Sequence, residues 1–244
     1  MQPKQRFWEI DFLRGIAIIM MIVFHFLYDL NYFAGKNISV DKGFWLIFGR
    51  ATAVIFIFLV GVSLTISYSR AKQNKKNTFW KYFKRGATIF GWGLLVTLAT
   101  WIFLREGFVV FGILQFIGIS IVLTYPFLNE KYNKICLWLG IFIIIIGLYL
   151  GNMTSNNYWL LPLGIIPSNF YTIDYFPLLP WFGIILIGIF FGYLLYRKNK
   201  RMFKLKELGE NIFVKPLCFM GRHSLLIYLL HEPVLIGVLK MVGV

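Results

Sequence analysis

The segment RFWEIDFLRGIAIIMMIVFHFLYDL, Arg6 to Leu30, is long and apolar enough to cross a bilayer, yet it carries Asp11, Arg14, His25 and Asp29. A charged side chain at mid-membrane costs roughly 2.5–3.5 kcal/mol even on lenient insertion scales, so such groups face protein or water and mark functional positions. Their spacing is not scattered. A helix turns about 100° per residue, which brings Arg14 and His25 back to nearly the same face. Asp29 follows one turn after His25, and Asp11 precedes Arg14 by less than a turn. One side of the helix therefore carries a polar line. An imidazole on such a line, beside a carboxylate, is suited to proton transfer near neutral pH. In contact with the ring, Asp29 would fix its tautomer and stabilise the imidazolium.

The rest of the chain must build the membrane body that positions these groups. Of 244 residues, 59% are hydrophobic and 19% aromatic, and the mean hydropathy is +0.71. A soluble domain of this length cannot hide so much apolar surface, which leaves the integral-membrane class. Apolar runs near the length of about 20 residues that a crossing needs fall at 10–33, 43–69, 86–104, 108–128, 135–151, 176–196 and 216–242. The expected fold is all-α, a polytopic helical bundle of about seven spans forming a single domain over 1–244. The first run has no short apolar core followed by a small-residue cleavage site and reads as a retained span. The fifth run is the shortest and the one most open to tilting, re-entry or miscounting. Segment 158–170, YWLLPLGIIPSNF, is short and broken by two prolines, so it is placed at an interface.

Lysine and arginine set the expected orientation. The formal charge is +15, from 25 Lys+Arg against 10 Asp+Glu. Two loops are strongly basic, one with Arg70, Lys72, Lys75, Lys76, Lys81, Lys84 and Arg85, the other with Arg197, Lys198, Lys200, Arg201, Lys204, Lys206 and Lys215. Lys4, Arg6, Lys131 and Lys134 fall on the same side if there are seven spans. The other side has only Lys36, Lys42, Arg105 and Lys240. The positive-inside rule then makes the N-terminus cytoplasmic and the C-terminus external. In a soluble chain this charge would suggest nucleic acid. Beside apolar spans it points instead to anionic lipid or an anionic cofactor, with no nucleic-acid partner. Cys136 and Cys218 lie in separate predicted spans and give neither a disulfide framework nor metal-ligand spacing, so no metal is expected.

With that orientation, Asp11 and Arg14 lie near the cytoplasmic headgroups and His25 about 16 Å further along the helix axis. Arg50 enters from outside on the second span at about the level of Asp29, and the two could form a buried pair that fixes packing. The final span contributes Arg222 and His223 near the inside, then His231 and Glu232 further out. Arg14 and Arg222 suit either a site or snorkelling to headgroups. His231 could line a cavity or satisfy carbonyls freed at Pro233. His223 reads as interfacial.

The stretch EIDFLRGIAIIMMIVFHFLYDL, with Asp-x-x-Arg-Gly and the following His, resembles the start of bacterial and archaeal members of the heparan-alpha-glucosaminide N-acetyltransferase catalytic family. FIFLVGVSLTIS, VVFGILQFIGIS, DYFPLLPWFGIILIGIFFG and GRHSLLIYLLHEPVLIG are similar to further stretches of it, so the resemblance runs from Ile10 to Gly237. It implies a transmembrane acyltransferase of the cell membrane. Such an enzyme takes an acyl group, acetyl foremost, from cytoplasmic acyl-CoA and passes it to a glycan-like acceptor, a sugar hydroxyl or amine, on the far side. The acyltransferases that O-acylate bacterial surface polysaccharides likewise begin with an Arg and a first-span His. On that pattern Arg14 would meet the CoA end and His25 would be the catalytic base. The positions of the charges add Arg222 and Asp11 to the CoA end, Asp29 to the catalytic imidazole, and Arg50, His231 and Glu232 as supporting residues. The animal heparan-modifying enzymes are longer, and heparan is not carried over as the acceptor. Direct transfer and an acyl-imidazole intermediate both remain open. The competing expectation is a transporter or proton-coupled carrier, since intramembrane charges also line ion pathways.

Overall fold

The computed structural model describes residues 6–35, 39–73, 78–104, 106–197 and 199–243. Lys4, Lys36, Lys75, Lys76, Arg105 and Lys198, counted above for orientation, lie outside the described residues. The long apolar runs become helices: α1 (Trp8–Ala34), α2 (Gly43–Gln73), α3 (Thr78–Leu104), α4 (Ile113–Leu123), α5 (Asn133–Leu150), α6 (Leu178–Leu195), α7 (Val214–Arg222) and α8 (Ser224–Met241). A short antiparallel hairpin, β1 (Tyr196–Arg197) with β2 (Lys200–Arg201), follows α6. The protein is thus an all-α polytopic bundle.

Among the described residues six helices are long and apolar enough to cross a membrane: α1, α2, α3, α5, α6 and α8. The expected span at 108–128 differs. Its helix, α4, has 11 residues, about 16 Å of rise against a hydrocarbon core of about 30 Å. Gly112 precedes it in extended conformation, and a separate 3-10 turn at Tyr125–Leu128 with Pro at its start follows it. Pro126 has no N–H to continue the α-helical ladder, which accounts for the break. The short fifth run proves a continuous helix, extended at its start by the turn at Glu130–Tyr132. The final run divides at His223 into α7 and α8. Segment 158–170 holds a 3-10 turn, Tyr158–Leu163, and no crossing helix.

The chain forms two compact units. One comprises residues 57–204 and contains the second part of α2, α3 to α6 and the hairpin. Its centre is α6, where Ile185, Leu186 and Ile189 are fully buried, with Ile57, Leu64 and Thr65 of α2 also buried in this unit. Lipid is as apolar as these side chains, so close backbone approach and dispersion hold such helices together. Gly140 of α5 and Gly183 of α6 show the approach: a Cβ on either would meet the other's carbonyl oxygen. On α3, exposed Trp80 and Trp101 stand about 30 Å apart along the axis, the spacing of the two interfacial aromatic belts.

One buried polar side chain organises α3 against α4. Gln115 is 2% exposed; its Nε2 donates to the Gly93 carbonyl at 2.9 Å and to Thr97 Oγ1 at 2.7 Å, and its Oε1 accepts from the Gly112 N–H at 3.0 Å. Asp174 Oδ2 accepts from the Ile113 N–H at 3.2 Å, so a residue just before α6 caps α4. Gln115→Leu strands these partners away from water. It is expected to destabilise the protein by about 1–3 kcal/mol, measured as a lower unfolding midpoint in detergent.

The other unit comprises residues 1–56 and 205–244, with α1, the start of α2, α7 and α8. α1 ends at Gly35, whose positive φ lets its N–H return to the Leu30 carbonyl. This unit holds most of the ionisable residues singled out in the sequence.

Candidate active site

The polar line on α1 meets α7 at one end and α8 at the other. Near its start, α1 and α7 touch backbone to backbone. A Cβ on Gly15 would overlap the Leu217 carbonyl, and a Cβ on Gly221 would overlap the carbonyl of Asp11. Cys218 Sγ donates to the Trp8 carbonyl at 3.4 Å. This packing gathers charge. Arg14 Nη1 lies 3.7 Å from Asp11 Oδ1, and Arg6, Arg222 and Glu9 also act electrostatically on Asp11. Three guanidinium groups thus stand against two carboxylates. Arg222 is exposed, its Nε donating to the Cys218 carbonyl at 3.1 Å.

Further along, α1 and α8 bring three groups together. His25 Nε2 is 3.7 Å from Glu232 Oε1, and His231 Nε2 is 3.8 Å from the same oxygen. The two imidazoles meet edge to face, with ring centroids 4.8 Å apart. His25 Nδ1 donates to the Met21 carbonyl at 2.9 Å, and His231 Nδ1 donates to the Tyr228 carbonyl. Since a carbonyl only accepts, each Nδ1 carries the hydrogen. In each neutral ring Nε2 then presents its lone pair toward Glu232. The His25 side chain is 33% exposed and that of His231 5%.

The expected residues therefore fall into distinct positions. Asp11, Arg14 and Arg222 cluster at one end of α1. His25, His231 and Glu232 cluster further along, with buried Asp29 in electrostatic contact with both His25 and Glu232. The hydrogen bond that sets the His25 tautomer goes to Met21, not to Asp29. Arg50 does not join them. It is exposed, and among the described residues no ion pair links it to Asp29, so the expected Asp29–Arg50 pair gives way to Asp29 beside His25 and Glu232. His223 is exposed at the break between α7 and α8, its Nδ1 on the Phe219 carbonyl at 2.9 Å. Sequence reasoning did not find the Met21 and Tyr228 carbonyls, because main-chain acceptors leave no mark in residue identity.

In the other unit, Lys72 of the first basic loop lines an open recess of about 330 Å³ with Ser69, Gln73, Glu130 and Tyr193. Glu130 also pairs with Arg197 at 3.0 Å. The carboxylate in its wall offsets the positive charge.

These features define a polytopic helical membrane protein with ionisable side chains brought together along membrane-spanning helices. Residues 6–233 match the family described as heparan-alpha-glucosaminide N-acetyltransferase, catalytic, and the chain belongs to that family. It is accordingly a multi-pass membrane acyltransferase of the acetyltransferase kind. No curated protein and no solved structure matches the chain.

Proposed function

We propose that the protein transfers an acyl group, acetyl foremost, from cytoplasmic acyl-CoA to a sugar hydroxyl or amine on the outer side of the cell membrane. The observation that carries this reading is His25. Its Nδ1–H is tied to the Met21 carbonyl, which leaves the Nε2 lone pair free to accept a proton beside the Glu232 carboxylate. The family supplies the reaction class. The two units serve as one acyltransferase domain, a reading supported by a family match that runs through both.

In the mechanism, the acceptor O–H or N–H gives its proton to His25 Nε2 as its oxygen or nitrogen attacks the thioester carbonyl carbon. Glu232 stabilises the imidazolium so formed. The C–S bond breaks as the tetrahedral intermediate collapses, and the imidazolium returns its proton to the departing CoA sulfur. Free CoA and the acylated acceptor result. Arg14 and Arg222 bind the CoA phosphates. Their distance from His25 along α1, about 16 Å from Arg14, is the scale of a pantetheine arm. Asp29 holds a second carboxylate beside the ring. A carrier without chemistry has only the intramembrane charges in its favour, and these do not distinguish it.

The test is transfer of labelled acetyl from acetyl-CoA to a glycan-like acceptor by purified protein in proteoliposomes, with the product identified by mass spectrometry. Flux of an acceptor without acylation would replace this reading with the carrier. Arg14→Ala is expected to raise the KM for acetyl-CoA about tenfold, the scale of one charge-assisted phosphate contact. Its kcat should change little, because Arg14 lies far from the reacting carbon. Initial-rate kinetics at two salt concentrations would read this, with the wild type showing the steeper salt dependence.

A further inference from the structure

We propose that His25, His231 and Glu232 form a binding site for a divalent transition-metal ion, zinc foremost, which closes the site to acyl transfer when bound. The binding part stands on geometry alone, and the inhibitory part rests on the reading of His25 as the base.

Three donor atoms converge here: two imidazole Nε2 atoms and one carboxylate oxygen, all within 4.8 Å of one another. At 3.7 Å and 3.8 Å the His–Glu separations exceed hydrogen-bond length. With both Nδ1 atoms committed to carbonyls, the facing atoms are all electron-pair donors in the neutral rings. A proton on one ring would serve that ring and leave the other without a partner. One cation can bind all three and gives His231 Nε2 its partner.

His231 is the independent sign. It is 7% exposed, and its Nε2, aimed at Glu232, has no hydrogen-bond partner among the described residues. A buried polar atom without a partner is rare in folded proteins and calls for an unseen one. Asp29, 4% exposed and with Oδ2 also lacking a hydrogen-bond partner, adds a second carboxylate within electrostatic reach of His25 and Glu232.

Size and donor type select the ion. A point equidistant from three atoms at these separations lies about 2.4 Å from each, a few tenths beyond the roughly 2.0–2.2 Å of zinc–nitrogen and zinc–oxygen bonds. Small side-chain rotations close that difference. Two imidazoles favour zinc, cobalt, nickel or copper over magnesium and calcium, which prefer all-oxygen shells. Both histidines already show the outer arrangement of metal ligands, the second ring nitrogen donating to a backbone carbonyl. A metal on His25 Nε2 takes the lone pair that would accept the acceptor's proton, so ion and turnover exclude each other.

The experiment uses the full chain in detergent, stripped with a chelator and titrated with Co²⁺, then with Zn²⁺. One Co²⁺ per chain is expected, with the visible bands of a low-symmetry nitrogen–oxygen site, displaced by one Zn²⁺. His231→Ala and Glu232→Gln should each weaken binding at least about a hundredfold. X-ray absorption at the zinc edge should count two imidazoles in the wild type, a readout that needs no variant to fold. No uptake at micromolar Co²⁺, binding unchanged in both variants, or fewer than two imidazoles overturns the site. Acetyl transfer is measured separately. Inhibition by Zn²⁺ that a chelator reverses supports the whole proposal, whereas full turnover with the site occupied overturns the inhibitory part. Metal binding without any acetyl transfer supports the site and removes the acyltransfer reading instead.

Discussion

Replacing His25 with alanine is expected to lower acetyl transfer by about 10²–10⁴-fold, the contribution of a positioned general base, while the protein remains folded. The separation of these effects follows from the surroundings of the side chain. His25 lies on α1, is one-third exposed, and among the described residues makes one side-chain hydrogen bond, to the carbonyl of its own helix four residues earlier. Alanine keeps the helix and removes only the imidazole, and the Met21 carbonyl retains its α-helical partner. The loss should fall on kcat, with the KM for acetyl-CoA nearly unchanged, because Arg14 and Arg222 lie at the other end of the reach. Initial-rate kinetics with size-exclusion chromatography and circular dichroism would measure both sides. A variant with undiminished kcat would remove His25 from the chemistry.

Gly221→Val is expected to destabilise the protein by about 3 kcal/mol, the upper range for inserting carbon into a packed contact, and to raise the KM for acetyl-CoA. At position 221 a Cβ would overlap the Asp11 carbonyl, and a main-chain atom in a helix cannot rotate away as a side chain can. α7 must then move off α1. The movement separates Arg222 from Asp11 and Arg14 and opens the basic cluster that would hold the CoA phosphates. Gly15→Val acts on the same contact from α1, against the Leu217 carbonyl. Gly91→Ala is the contrasting substitution. Its Cβ would meet no atom within 4 Å, and the gain in helix propensity should leave stability equal or up to about 1 kcal/mol higher. Thermal unfolding in one detergent would rank the three variants. Equal midpoints would mean that the α1–α7 contact is looser than the geometry requires.

The sequence made the membrane body legible because its signal is local. Uninterrupted apolar runs without proline give α1, α2 and α5 within a few residues of expectation. α6 forms over its run with Pro180 in its first turn, and α3 begins at Thr78, ahead of the expected 86, because its first turns carry Lys81, Lys84 and Arg85. α4 was overestimated, since apolar residues at 108–112 and 124–128 look like helix while Gly112 and Pro126 end it. Asp174, the residue that caps α4 from a distance, could not be inferred from neighbouring positions. The polar line Asp11, Arg14, His25 and Asp29 was equally readable, because helical periodicity alone puts those residues on one face. The partners on other helices were not. Depth in the membrane was estimated by counting residues, and it put Arg50 level with Asp29. Depth sets height along a helix but says nothing of its rotation, and Arg50 faces outward while Glu232 faces His25. The join of His25 with His231 and Glu232 brings together opposite ends of the chain. No spacing motif could reveal it, so the expectation of no metal rested on local spacing alone.

The proposed function requires acyl-CoA to lie along α1 with its thioester at His25. An experimentally determined structure of the protein with a non-hydrolysable acyl-CoA analogue tests it most directly. The analogue's phosphates are expected against Arg14 and Arg222, and its acyl carbon one hydroxyl group away from His25 Nε2. A complex in which the analogue binds elsewhere, with the His25 ring turned to the lipid chains, would contradict it.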